Sequence, residues 1–312
     1  LQLSWRHCAL AVAFCLSVQA QSIPDALVKE PLRQMRASAA SSGSALFYHG
    51  GPVMAFGVNL YFIFYGNWSA EAESTGILTA LAQGIGGSPY FNINTTYHAM
   101  ANGRDVAIEN VVRYAGSVND GYSQGASLTE DSTPRIVESA LVSGALPVDP
   151  DGVYFVLGSP DTTESGFCKT SCGWHGYGRL LDGHLNANQP TGPGIDIKYA
   201  FVGNPKTQCM SFCSLFSANF PPPNGNASAD AMASIIAHEL SEAVNDPHMN
   251  AWFDFTGNES ADKCQWSYGT VYRVPAGQPN SNGVYNTSVG GRNFLLQQNW
   301  VNAGGGYCAA GY

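Results

Sequence analysis

Apolar residues recur at Met232, Ile235, Ile236, Leu240 and Val244, spacings of three and four that predict a helix with one buried stripe. The helix lies within 229–250, ADAMASIIAHELSEAVNDPHMN, and Asn245-Asp246-Pro247 stops it, because the residue before a proline disfavours helical geometry. Elsewhere the period changes. The run VNLYFIFY at 58–65, bounded by Gly57 and Gly66, reads as a buried strand, as do GVYFVLG at 152–158 and the segment 197–202. A further strand candidate covers 106–114, and shorter strand signals fall at 270–274 and 293–297. Helices are predicted over 70–84, ended by Ser88-Pro89-Tyr90-Phe91, and over 132–143, where Thr133-Pro134 starts the helix and Ile136, Val137, Ala140 and Leu141 share a face. Strands alternating with helices predict an α/β fold, a layered mixed sheet with flanking helices. Residues 251–312, rich in Gly, Asn and aromatics, predict an irregular C-terminal lobe tied by a disulfide.

Candidate chemistry sits on the first helix named. His238-Glu239-Leu240-Ser241-Glu242 is an H-E-x-x-E pentad, and helical geometry stacks His238 and Glu242, four residues apart, on one face. The zinc-protease pattern H-E-x-x-H offers two ligands in this way, with the intervening Glu as general base. Glu in place of the second His still supplies an oxygen ligand for Zn²⁺, so the stretch reads as a zincin-like active helix. An ordinary amphipathic helix with one hydrogen-bonded histidine is the plainer reading. Ile235-Ile236-Ala237 before His238 favours the metal, because titratable groups in an apolar setting need partners.

Composition narrows the class. Of 312 residues, 45% are hydrophobic and only 12% charged, with a formal net charge of −9 and no basic patch, which argues against disorder and against nucleic acid as a partner. Residues 1–20 read as a secretory signal peptide: Arg6 and His7, then an apolar run from Cys8 to Val18, then Val18-Gln19-Ala20 as a small-x-small cleavage site. That run is about half of the ~20 residues a membrane span needs, and no later segment is long enough to cross either, so no membrane span is expected. Residues 21–44 read as a flexible N-terminal segment, and 45–312 as one domain. With Cys8 and Cys15 removed, six cysteines remain, at 168, 172, 209, 213, 264 and 308, an even number that implies disulfides in a secreted chain. A four-thiolate metal site is the minor alternative. Five N-x-S/T sequons, at Asn67, Asn94, Asn226, Asn258 and Asn286, fit surface glycosylation.

Blocks spread over the mature chain resemble one known family. They run from Tyr48-His49-Gly50-Gly51-Pro52-Val53 through Cys172-Gly173-Trp174-His175, Phe201-Val202-Gly203-Asn204 and Pro223-Asn224-Gly225 to the pentad. They continue with Asn250-Ala251-Trp252-Phe253, Glu259 with Asp262-Lys263-Cys264, and Gly291-Arg292-Asn293-Phe294-Leu295. In these the chain is similar to the phosphate-induced, or EXORDIUM-like, family of secreted plant-type proteins. The resemblance implies an extracellular or cell-wall location and a link to growth or nutrient responses, and it settles no biochemical activity.

A catalytic zinc wants three protein ligands and an open position for water. Asp262 is favoured as the third ligand after His238 and Glu242, then Glu259; His175, beside Cys172, is a further contender as ligand or proton donor. Glu239 would take the proton of the water. One imidazole with two carboxylates is a harder ligand set than two imidazoles and leaves room for another divalent ion. Each C-x-x-x-C pair could close locally or cross, Cys168/Cys172 to Cys209/Cys213, with Cys264 and Cys308 as the remaining pair. The leading expectation is a secreted metal-dependent hydrolase, a peptidase acting on extracellular protein or peptide. The alternative is a non-catalytic extracellular or wall-associated signalling protein, and a carbohydrate-binding module has only the 12% aromatic content behind it.

Overall fold

The computed structural model describes residues 45–101 and 103–312. The signal peptide expected at 1–20 and the flexible segment expected at 21–44 lie outside the described residues.

Six strands form the central sheet: β1 (Val58–Tyr65), β2 (Val112–Asp120), β3 (Gly152–Gly158), β4 (Gly173–Leu181), β5 (His184–Ala187) and β6 (Ile195–Val202). Their order is β5-β4-β6-β3-β1-β2. The four strands β2, β1, β3 and β6 run parallel, while β4 lies antiparallel to β6 and β5 antiparallel to β4. Parallel strands covered on both faces need continuous apolar sequence, and β3 is buried at every residue. The edge strand β2 instead alternates between more and less exposed positions, as a strand with one wet face does. Phe62, Phe155 and Phe201, from three neighbouring strands, are wholly buried at the centre of the core.

Three long helices accompany the sheet: α1 (Ala72–Gly84), α2 (Ser132–Val142) and α3 (Ala227–Asn245). Helix α3 starts where the Asn226 side chain accepts the N–H of Ala229, an N-cap that satisfies one of the helix's orphan donors. It packs against α1 and against β4 and β6. The expected single stripe is exceeded. Every residue from Ser228 to Asn245 is buried, because small residues (Ala, Ser) fill the face opposite Ile236 and Leu240 and the C-terminal segment closes over them. Ser234 Oγ, for instance, accepts the N–H of Gln297, so a polar residue is satisfied inside the fold.

Several expectations need correction. The apolar run 106–114 is not one strand. It divides between a short hairpin strand, Arg104–Ala107, and the start of β2 at Val112, with the chain turning at Glu109-Asn110. Ser88 does not simply end α1 but caps a new short helix, Pro89–Asn92, by accepting the N–H of Phe91. Strands β4 and β5 were not predicted at all. Of the five sequons, Asn94 is wholly buried, so the surface reading fails there: its amide donates to Phe91 O and Ser241 Oγ.

The cysteines cross rather than close locally. Cys168 pairs with Cys209 and Cys172 with Cys213, joining the segment before β4 to the one after β6, and Cys264 pairs with Cys308. Residues 251–312 contain only strands of two or three residues and one short 3₁₀ turn, Asp262–Cys264. No helix among the described residues is long and apolar enough to cross a membrane.

Candidate metal centre

Three segments meet at one cavity of about 450 Å³. Helix α3 supplies His238, Glu239 and Glu242, β4 supplies Gly173 and His175, and the loop before and through the 3₁₀ turn supplies Glu259 and Asp262. All six candidate side chains named from the sequence therefore line the same space.

Within it the contacts are specific. His238 Nε2 lies 3.2 Å from Glu242 Oε2, one helical turn on, and 3.5 Å from Asp262 Oδ1. The other oxygen of Glu242, Oε1, accepts the backbone N–H groups of Ala261 (3.2 Å) and Asp262 (3.0 Å), which docks the turn onto the helix. Across the cavity His175 Nε2 is 3.1 Å from Glu259 Oε2. Ligand atoms of His238, Glu239 and Glu242 all fall within 4.8 Å of one another, and so do those of His175, Glu242 and Glu259. Asp246, which ends α3, accepts the N–H groups of Asn250 and Ala251, both at 2.6 Å, and turns the chain back after the helix.

Electrostatics follow from crowding and burial. Burial pushes the Glu239 and Glu242 carboxyls well above the usual range; neighbouring carboxylates add to this and His238 opposes it. Glu259 is raised for the same reasons, burial first and then Asp246, Asp262 and Glu239. Burial alone would depress the His238 imidazolium, yet Glu242, Asp262 and Glu239 together hold it well above its ordinary value. Asp262, the most exposed member, is lowered despite partial burial by its contact with His238.

The donor chemistry fits a divalent cation. Imidazole and carboxylate together suit zinc and harder ions, and a cation bound here would compete with protons for these groups. Buried atoms without a hydrogen-bond partner include Glu259 Oε1 and Nδ1 of both His238 and His175. The two rings are therefore held through Nε2 alone.

Reasoning from sequence brought the six residues to one list but did not foresee the pairing of His175 with Glu259. It also missed Gly173. A Cβ there would stand 2.6 Å from Ile235 Cγ2, so only glycine lets β4 approach the helix at this point. Gln297, which lines the cavity and accepts the N–H of Trp266, carried no sequence signal.

Fold and site define an α/β protein, cross-linked by disulfides, with a buried histidine–carboxylate cluster on its central helix. A family model of the phosphate-induced protein 1 conserved region matches residues 46–310, and the chain belongs to that family. It is 33% identical to Protein EXORDIUM-like 5 of Arabidopsis thaliana over 288 residues, covering 82% of this chain and 75% of the relative. It is 30% identical to Protein EXORDIUM-like 3 of the same plant, covering 82% and 80%. Protein PHOSPHATE-INDUCED 1 of Nicotiana tabacum is 24% identical, covering 92% of each.

Proposed function

We propose that this protein is an extracellular metal-dependent hydrolase that cleaves peptides. The observation that carries the reading is the convergence of His238, Glu242 and Asp262, from a helix and a turn joined by two hydrogen bonds, on the wall of a cavity that also holds Glu239.

In this reading His238, Glu242 and Asp262 hold one divalent cation, zinc or a harder ion. Such an ion, when bound, lowers the pKa of a coordinated water to about 7 and polarises a carbonyl. Glu239, on the same cavity wall, would accept the proton of that water and return it to the leaving nitrogen. Glu242 positions Asp262 through the backbone of the turn. The substrate class rests on β4. Strand β5 pairs only with Gly178–Leu181, so among the described residues no strand covers the outer side of Gly173–Gly176 beside the cavity. At this end of β4 Gly173 and Trp174 are half-buried and His175 and Gly176 buried, so an extended peptide would pair with the first residues of the strand, as in strand addition. Three disulfides support an oxidising, extracellular setting.

A second reading is a non-catalytic extracellular protein, with wall association and a part in growth or nutrient responses. The comparisons favour it: the relatives' names give a family and a response to phosphate, and none names a reaction.

The two readings separate on one variant. Purified protein loaded with zinc is assayed against a peptide library beside Glu239→Gln. The hydrolase reading expects cleavage that disappears in Glu239→Gln while bound zinc is unchanged. Zinc binding without cleavage, or no zinc binding, supports the non-catalytic reading, and cleavage that survives the substitution removes Glu239 from the mechanism.

A further inference from the structure

We infer that the cavity is built for two divalent cations, the second held by His175 and Glu259 with Glu242 shared between the two sites. This rests on the metal-site reading above and extends it.

The argument begins with the overlap of two ligand groups. His238, Glu239 and Glu242 form one compact set, the first site, at which Asp262, 3.5 Å from His238, would complete the ligands and Glu239 would stay free as base. His175, Glu242 and Glu259 form another, each set with its ligand atoms within 4.8 Å of one another. Glu242 belongs to both. Glu242 Oε1 already accepts the N–H groups of Ala261 and Asp262, so Oε2 would be the oxygen shared by neighbouring cations; two-metal hydrolytic sites hold their ions about 3.5–4 Å apart. Two overlapping sets with one common carboxylate are compatible with that spacing.

The second set is more than a group of acids. His175 comes from a different element, its side chain is only 3% exposed, and its Nε2 is directed at Glu259, 3.1 Å away. Within the same set Glu259 Oε1 is shielded from solvent and has no hydrogen-bond partner among the described residues. A buried carboxylate oxygen left without a donor costs free energy, and a cation between Glu259, His175 and Glu242 would remove that cost.

Charge points the same way. Glu239, Glu242, Glu259 and Asp262 line one cavity with two imidazoles and no Lys or Arg among the lining residues. Four carboxylates with one divalent cation leave a net charge of −2, whereas two such cations balance them. His175 then serves as a ligand rather than a proton donor, and proton transfer falls to Glu239 alone.

Native mass spectrometry of the full oxidised chain, titrated with Zn²⁺ alone, tests this by counting bound ions. Two equivalents are expected in the unmodified chain and one in both His175→Ala and Glu259→Gln. The second variant keeps the shape of the side chain and a hydrogen bond to His175, so it reports even where the first does not fold. With Mn²⁺ in place of zinc, two ions on one chain should give a spin-coupled electron paramagnetic resonance signal that both variants abolish. A single equivalent in the unmodified chain overturns this inference and leaves the one-metal hydrolase standing. No bound ion overturns both. Two equivalents that survive both substitutions place the second ion elsewhere and overturn the shared site.

Discussion

Gly173 on β4 and Glu239 on α3 are in close approach: a Cβ built on the glycine would stand 3.3 Å from Glu239 Oε1, and nearer still to Ile235 and the carbonyl of Phe201. The strand that carries His175 and the helix that carries the pentad are thus spaced by a missing side chain. Gly173→Ala is expected to force strand and helix apart, lowering stability by about 1–3 kcal/mol, the usual cost of overpacking. Urea unfolding measures the loss, and zinc titration should show weaker binding.

Glu242 has two separable jobs, docking the turn and holding a cation. Glu242→Gln keeps an oxygen for the N–H groups of Ala261 and Asp262 while removing a carboxylate from a crowded group. The metal-free variant should therefore be at least as stable as the parent, with metal binding lost. Glu242→Ala strands both N–H groups in the interior and should cost about 1–3 kcal/mol as well as the metal. Thermal unfolding with and without zinc distinguishes the two.

The metal-free protein should become less stable as the pH rises from about 5 through neutrality. Glu239, Glu242 and Glu259 are raised in the folded chain, so over this range it binds more protons than the unfolded chain. Their contribution is complete below the unfolded carboxylate value near 4.3 and is lost as the pH passes through the folded values. His238, also raised, acts in the same direction, its contribution full below its unfolded value near 6.5 and gone above its folded value. Asp262, lowered, works the other way, and only at acid pH. Unfolding temperatures in EDTA should fall across this window, and saturating zinc should reverse the slope, because a cation competes with these protons.

Replacing Cys264 and Cys308 together by Ser is expected to cost about 4 kcal/mol on chain-entropy grounds, since the bridge spans 44 residues. The turn Asp262–Cys264 ends at this bridge, so zinc affinity should fall with stability. The same pair of changes at Cys168 and Cys209, farther from the carboxylates, should cost comparable stability with less effect on zinc. Calorimetry on both variants supplies the comparison.

The helix and its pentad were legible because spacing alone fixes which side chains share a helical face, and β1 and β3 because parallel strands buried on both faces leave unbroken apolar runs. The sequence concealed β4 for a physical reason. Glycines at 173, 176 and 178 dilute its apolar signal, yet each is met closely by a neighbour that would collide with a side chain: Ile235, Tyr199 and the backbone of Asn186. A sharper reader of turns had one clue. Asp182 and Gly183 both adopt positive φ in the two-residue loop between β4 and β5, and Asp-Gly is a strong hairpin signal. The meeting of Glu259 with His175, 84 residues apart, has no local signature, because it depends on how the C-terminal segment folds back.

The crossing cystines also bear on when the cavity comes into being. His175 follows shortly after Cys172, which is fastened to Cys213, and Asp262 shortly precedes Cys264, which is fastened to Cys308. Two of the three walls are therefore anchored by bonds that a reducing compartment withholds. A newly made chain would carry the pentad from the start yet meet its partners across the cavity in firm register only after oxidation, which ties maturation of the centre to an oxidising compartment.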